Sequence, residues 1–446
     1  MDSRMGSDLS AAPSGAPVAK TPAVPGGTRP RRALSGAIRI GAAALLALAV
    51  LPSFASALTF DEALRLAEER APQIAGRQRS VASMRSARTA AGQLPDPKLV
   101  LGVENVPISG SMAYRLESDF MTMQKVGVMQ DVPNAGKRAA LERRADADIA
   151  RTEAELRIER LAVRRETALA WLALYYLQQK RALLDSLERE NRLFADTVRA
   201  QLAAGRGSAA DTVLPRQEAA MLADRRDELE RDIAKVRATL FRWIGEAAGE
   251  ALAGDPPPLE LPPDHLRHAV GQHPELSVFG PLQDAARAEV AMSQAEKRPG
   301  WAVEFDYQKR GAAFGDMVSL QFTLDLPLFA ASRQDPQIAA KVLELERVSA
   351  ERDAMVRQHV QELEDLLAER DTTARQIRRL DGEWLALAQE RVELSLAAYR
   401  SGREPLLGAL EARKSLLETR MKRIELESQR SATDARMFYL NGEDRP

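Results

Sequence analysis

Two stretches of the sequence, Ala139 to Ala204 and Pro336 to Ser401, consist largely of residues that favour helix, above all Ala, Leu, Glu and Arg. Each is about 66 residues long, so at 1.5 Å rise per residue each predicts a rod of about 100 Å. No compact domain needs such a rod, and its stability has to come from seams against other helices. Along the first, Ile149, Leu156, Val163, Ala170, Leu177 and Leu184 recur every seven residues, and along the second Val342, Val356, Leu363, Ile377 and Trp384 keep the same step. That period marks coiled-coil packing. Flanking helices are predicted at Thr59 to Gln93 and Ser208 to Ile244, about 36 residues each, so two laid end to end match one rod.

The rods sit inside a duplication with an offset of about 200 residues, which makes each half one structural unit. The first half opens with LRLAEERAPQI and the second with LRHAVGQHPEL. Two strand-like segments come next in each, ending at Pro133 and at Pro327, then the rod, then a glycine break and a closing helix. The sequence therefore divides into an N-terminal extension with an export signal (1–57), a first repeat (58–245), a Pro-rich linker (246–263) and a second repeat (264–442). Within the first repeat the strands are predicted at about 98–106 and 122–132, the long helix at about 137–204 and the closing helix at 208–245. In the second the strands fall at about 300–309 and 317–327, the long helix at about 335–401 and the closing helix at 404–441.

Arg29, Arg31 and Arg32 precede an apolar run from Ile40 to Leu51 and the small-residue step Ala55-Ser56-Ala57. That order reads as a secretory signal cleaved after Ala57, since the run of about 12 residues is shorter than the roughly 20 that span a bilayer. A retained single-pass anchor is the alternative reading.

The strand segments of the second half alternate strictly. Trp301, Val303, Phe305 and Tyr307, with Val318, Leu320, Phe322, Leu324 and Leu326, form apolar faces; Glu304, Asp306 and Gln308, with Ser319, Gln321, Thr323 and Asp325, form polar ones. Segments of about 10 residues with this pattern suit a tilted transmembrane strand, apolar side to lipid and polar side to a wet lumen. In the first half Leu99, Leu101 and Val103, and Val126, Val128 and Val132, alternate less cleanly, with Gln130 on the apolar face. A half-buried antiparallel sheet of a water-soluble protein has the same period. Four strands cannot close a barrel, and an open edge is not tolerated in hydrocarbon, so the barrel reading requires oligomerisation: two copies give about 8 strands and three about 12. Trp301 and Phe329 would then lie at the inner interface, and Tyr114, Tyr307 and Phe314 near the outer one.

The phrases LPDPKLVLGVENVP and VGVMQDVPNAGKR, with AGRGSAADTVLPRQEAA and YRSGREPLLGALEAR, resemble the TolC family of outer-membrane efflux proteins over essentially the whole of residues 58–442. GVENVP and DFMTMQKVGVMQDVP are most similar to its heavy-metal branch, the CzcC and CusC type. The resemblance implies a mainly α fold with long coiled-coil hairpins and four antiparallel transmembrane strands per chain. It further implies a homotrimer, a barrel of about 12 strands in the outer membrane of a Gram-negative cell, and an α-helical tunnel in the periplasm. Implied partners are a periplasmic adaptor, an inner-membrane RND-type pump and outer-membrane lipid. The implied function is passive export through a tripartite system, with heavy-metal cations as the cargo that the branch suggests. The family's tunnel tips, which gate the duct and meet the adaptor, correspond to Gly205, Arg206, Gly207, Ser208 and Asp211 and to Gly402, Arg403 and Glu404. A periplasmic adaptor or a structural coiled-coil protein of the envelope is the alternative reading.

Other functions find no residue set. Lys+Arg 63 against Asp+Glu 64 gives a formal net charge of -1, which offers nucleic acid no general attraction. Without cysteine there is no disulfide, no thiolate metal site and no acylated N-terminal Cys for lipid anchoring. His265, His268 and His273 lack the spacing of a helical zinc site, and their Pro-rich surroundings predict a surface position. Met112, Met121, Met123 and Met129 read as apolar filler near a barrel rim rather than as soft-metal ligands. No enzyme activity, resident metal or cofactor is expected.

Overall fold

The computed structural model describes residues 57–205 and 208–442. The export signal expected at 1–57 lies outside the described residues except for Ala57, as do Arg206 and Gly207. In chain order the structure runs α1 (Phe60–Arg70), α2 (Pro72–Arg88), β1 (Lys98–Glu104), β2 (Met123–Val132), α3 (Ala135–Ala203) and α4 (Leu214–Ile244). It continues with α5 (Pro263–Ala269), α6 (Phe279–Ala295), β3 (Trp301–Lys309), β4 (Met317–Leu324), α7 (Gln334–Arg379), α8 (Leu385–Arg400) and α9 (Leu406–Leu440). The fold is thus mostly helical with one small sheet. No described helix is long and apolar enough to cross a membrane.

The helix expected from Thr59 to Gln93 is two helices. Thr59 caps α1 by accepting the Glu62 N–H at 3.2 Å, and Pro72, which has no N–H, starts α2 after the extended Ala71. The first rod is continuous. Asn134 caps it through the Lys137 N–H at 2.9 Å and also donates from Nδ2 to Ala295 O at 2.9 Å and Arg298 O at 3.2 Å. One side chain thereby ties the start of α3 to the end of α6 just below the sheet.

Helix α3 packs against α1, α2, α4, α6 and α9, so it buries more than one stripe. Ala140, Ala147, Ala154 and Ala168 form one buried row, and Val163, Ala170, Leu184, Asn191 and Val198 another that extends the expected seam. Asn191 is the polar member of that seam, and its Nδ2 donates to Pro215 O at 2.8 Å, a bond that any slip of register would break.

The second rod departs from expectation at a π turn, Leu380–Trp384, between α7 and α8. The extra residue of a π turn rotates the downstream helix by about one residue, roughly 100°. Trp384, the expected seam residue, is therefore 60% exposed, whereas Leu380 at the start of the turn is 3% exposed. Val342, another expected seam residue, is 37% exposed.

The main core forms where α1, α3 and α4 meet the linker. Trp171 is fully buried, edge-on to Phe60 at 5.4 Å, with its indole N–H donated to Leu58 O at 3.1 Å. Leu58, the residue after the expected cleavage point, bridges Leu252 and donates its N–H to Ala251 O at 2.9 Å. The linker is docked along its length: Asp255 accepts the Tyr175 hydroxyl at 2.9 Å, Leu259 is buried, and Glu260 pairs with Arg370 and Arg430.

The four strands form one antiparallel sheet in the order β1-β2-β3-β4. Pairing of β2 with β3 joins segments from the two halves of the sequence. Strands β1 and β4 are its open edges. β1 is shorter than expected because Asn105 turns it at φ 57°, and β4 ends at Leu324, which leaves Asp325 and Leu326 just beyond the ladder.

Candidate functional site

Register decides what the alternating residues become. The rows Leu99–Val128–Phe305–Leu320 and Leu101–Val126–Tyr307–Val318 cross all four strands on one face, joined by Gln130–Val303–Phe322, in which Gln130 is the polar member, and Val132–Trp301–Leu324. Along these rows Leu99, Val128, Phe305 and Leu320 are each more than 40% exposed, as are Leu101, Val126, Tyr307, Val318, Trp301, Phe322 and Leu324. Val303 is half-buried. An apolar face of this extent is far more than the scattered surface apolars of a soluble protein. Leu326, Leu328 and Phe329 extend it beyond β4 at the helix end. At the loop end Tyr114 is exposed, Tyr307 bonds Asp316, and Phe314 lies under the Arg310 guanidinium at 5.9 Å.

The opposite face is polar along the rows Lys98–Met129–Glu304–Gln321, Val100–Gly127–Asp306–Ser319 and Gly102–Lys125–Gln308–Met317, with Thr323 opposite Ala302. Lys125 Nζ stands 2.6 Å from Glu304, 3.1 Å from Asp306 and 3.5 Å from Glu104, so one ammonium is shared by three carboxylates. Gly127 makes this possible, because a Cβ there would collide with the Asp306 carboxylate. Asp306 and Gln308 are buried, whereas Gln321, Thr323 and Asp325 are exposed. Sequence reading missed the Lys125 cluster, since only cross-strand register shows that its members meet.

At the far end of the rods Gly205 and Gly402 take φ of 73° and 71°, the left-handed backbone that ends each rod. Ser208 and Asp211 form a capping box: the Ser208 N–H donates to Asp211 Oδ2 at 2.9 Å and Ser208 Oγ accepts the Ala210 N–H at 3.2 Å. Asp211 is thus spent within its own turn. Glu404 folds over Gly408 at the start of α9. The two turns are held together by residues the sequence did not single out: the Tyr399 hydroxyl donates to Gln201 Oε1 at 2.7 Å over an apolar cluster of Val198, Leu406 and Leu410. Burial, with the Asp211 charge, raises the Tyr399 phenol above its ordinary pKa, so it remains a donor.

The histidines do not all lie at the surface as expected. His265 and His268 are exposed on α5, but His273 is 3% exposed and packs against His359 of α7, ring centroids 4.1 Å apart. Burial, then His359 and Arg165, holds His273 down at a pKa of about 4. Nothing in the spacing of residues 273 and 359 signals the pairing, which is made by packing of the Pro274–Val278 turn against α7.

The class of fold is that of the outer-membrane channels. The structure is similar to CusC, described for its transmembrane channel formation, with a TM-score of 0.69 at 15% identity over 86% of this chain and 91% of that one. It is similar to a membrane protein from Pseudomonas aeruginosa, with a TM-score of 0.73 at 17% identity over 86% and 93%, and to the outer membrane protein VceC from Vibrio cholerae, with 0.69 at 16% over 86% and 96%. At such identities the likeness is one of fold. In sequence, residues 266–443 match the family described as outer membrane efflux protein. No curated protein matches the chain in sequence.

Proposed function

We infer that the chain is one subunit of an outer-membrane efflux channel, a passive duct of a tripartite export system rather than an enzyme. The observation that carries this reading is the broad exposed apolar face, interrupted on β2 by Gln130, on a sheet whose two edges are open. Water disfavours such a face and hydrocarbon favours it, but hydrocarbon also forbids unpaired strand edges. Joining β4 of one copy to β1 of the next satisfies both demands.

Two copies would give a barrel of about 8 strands filled by its own side chains, and three a barrel of about 12 with room for a conduit. The polar face with Lys125, Glu304 and Asp306 would line that conduit. Exposed Trp384, Leu387 and Leu394 on the second rod offer further apolar surface for a neighbouring copy. The element order of one helix region, two strands, a rod and a closing helix occurs in both halves, which supports an internal duplication with both rods on the periplasmic side. The two turns at Gly205 to Asp211 and Gly402 to Glu404 would form the tips that gate the duct and meet a periplasmic adaptor, with an RND-type pump beyond. Heavy-metal cargo rests on GVENVP and its companion phrase; the likeness in fold is equal for CusC and VceC.

Fractionation of cells tests the proposal: the chain should sediment with the outer membrane and migrate as a heat-sensitive trimer. A water-soluble monomer would overturn it. Tolerance of a deletion strain to metals and to organic toxicants separates the two kinds of cargo.

A further inference from the structure

His273, Glu275 and His359 bring one ligand atom each within 4.8 Å of one another at the junction of the Pro274–Val278 turn with α7. Both rings are 3% exposed, yet neither nitrogen of His359 has a hydrogen-bond partner. Buried polar atoms are nearly always satisfied, so an imidazole with both nitrogens orphaned points to a group that completes it. Its Nε2 faces Glu275 Oε2 at 3.4 Å and its Nδ1 faces Glu362 Oε2 at 3.8 Å.

We propose that His273, Glu275 and His359 bind a divalent first-row transition metal, with Zn2+ as the type, and so fasten the start of the second half of the chain to the second rod. Two imidazoles and a carboxylate are the donor set of three-residue zinc sites that leave one position for water. With no thiolate or thioether among them they disfavour Cu(I). Glu362 stands where an outer carboxylate would accept a hydrogen bond from the His359 Nδ1–H and leave Nε2 for the metal. His273 Nδ1 now accepts the Glu275 N–H at 3.1 Å. A metal at either ring nitrogen displaces that bond, since ligation at Nε2 drives the ring proton to Nδ1, so loading loosens the cap of this one turn. The site does not depend on the channel reading.

The test is Zn2+ titration of the untagged full chain, purified in detergent and stripped with chelator, followed by calorimetry and by the visible spectrum of the Co2+ form. The expected result is one saturable site per chain with a tetrahedral Co2+ spectrum, and a Zn2+-dependent rise in unfolding temperature. His359→Gln should weaken binding at least about 100-fold, and Glu362→Gln about 10- to 100-fold. Glu275→Gln guards against a His359 variant that fails to fold, because Glu275 is only half-buried; it too should lose the site. His265→Gln with His268→Gln should leave binding intact. No saturable binding by the wild type, or equal binding by the wild type and Glu275→Gln, would overturn the proposal.

Discussion

Placing an arginine at Phe305 separates a lipid-facing sheet from a soluble one by the size of its effect. Phe305 is at the centre of β3, paired with Val128 and Leu320 in an apolar row, and is 55% exposed in the single chain. If that exposed half faces hydrocarbon, losing it costs about 1 to 1.5 kcal/mol, half of a full aromatic burial. An arginine near the bilayer midplane adds about 2 to 4 kcal/mol. The sum is about 3 to 5 kcal/mol per chain, and about 10 to 15 kcal/mol for a closed barrel of three, because all copies carry the change. If the sheet faces water, the same exposed Phe305→Arg change falls within about 0.5 kcal/mol of neutral. Gln321→Arg is the control, since Gln321 is exposed on the other, polar face, across from Glu304. The assay is the yield of heat-sensitive oligomer in outer-membrane fractions, with urea midpoints of refolding into lipid vesicles. Phe305→Arg should abolish assembly and Gln321→Arg should not. Wild-type assembly and an unshifted midpoint for Phe305→Arg would refute the reasoning.

Gly127→Ala should destabilise by about 1 to 3 kcal/mol, because the new methyl overpacks against Asp306, although a strand interior ordinarily gains from replacing glycine. Thermal unfolding checks this, and Asp306→Gly in the same background should recover part of the loss. For His273 the folded pKa of about 4 lies below the ordinary 6.5, so between those values the unfolded chain binds more protons. Stability is full above pH 6.5 and falls by about 3 kcal/mol as the pH drops to 4, a slope that His273→Gln should flatten when denaturation is monitored with chelator present. At the tips, Asp211→Ala removes the capping box at a cost of about 1 kcal/mol. Combined with Arg403→Ala it should raise single-channel conductance in planar bilayers; an unchanged conductance would count against a gating role for these turns.

The helices were legible because their signals are local. A seven-residue period and glycines such as Gly205 and Gly402 each act within a few residues of themselves. The π turn at Leu380–Trp384 was not legible, because it fits the rod to its neighbours and moves Trp384 off the seam only once those neighbours are in place. The linker read as a spacer because proline excludes helix, whereas Asp255, Leu259 and Glu260 find partners only across the folded core.

By itself the sequence determined which residues share a face: strand alternation put Phe305 with Tyr307, and Glu304 with Asp306 and Gln308, since side-chain direction along a strand is set by the backbone. Tertiary structure alone decided who stands opposite whom. The β2–β3 pairing gathers Lys125, Glu304 and Asp306, and the packing of one turn on α7 stacks His273 on His359. Such meetings depend on register and on contacts between residues far apart in the chain, where no local preference acts.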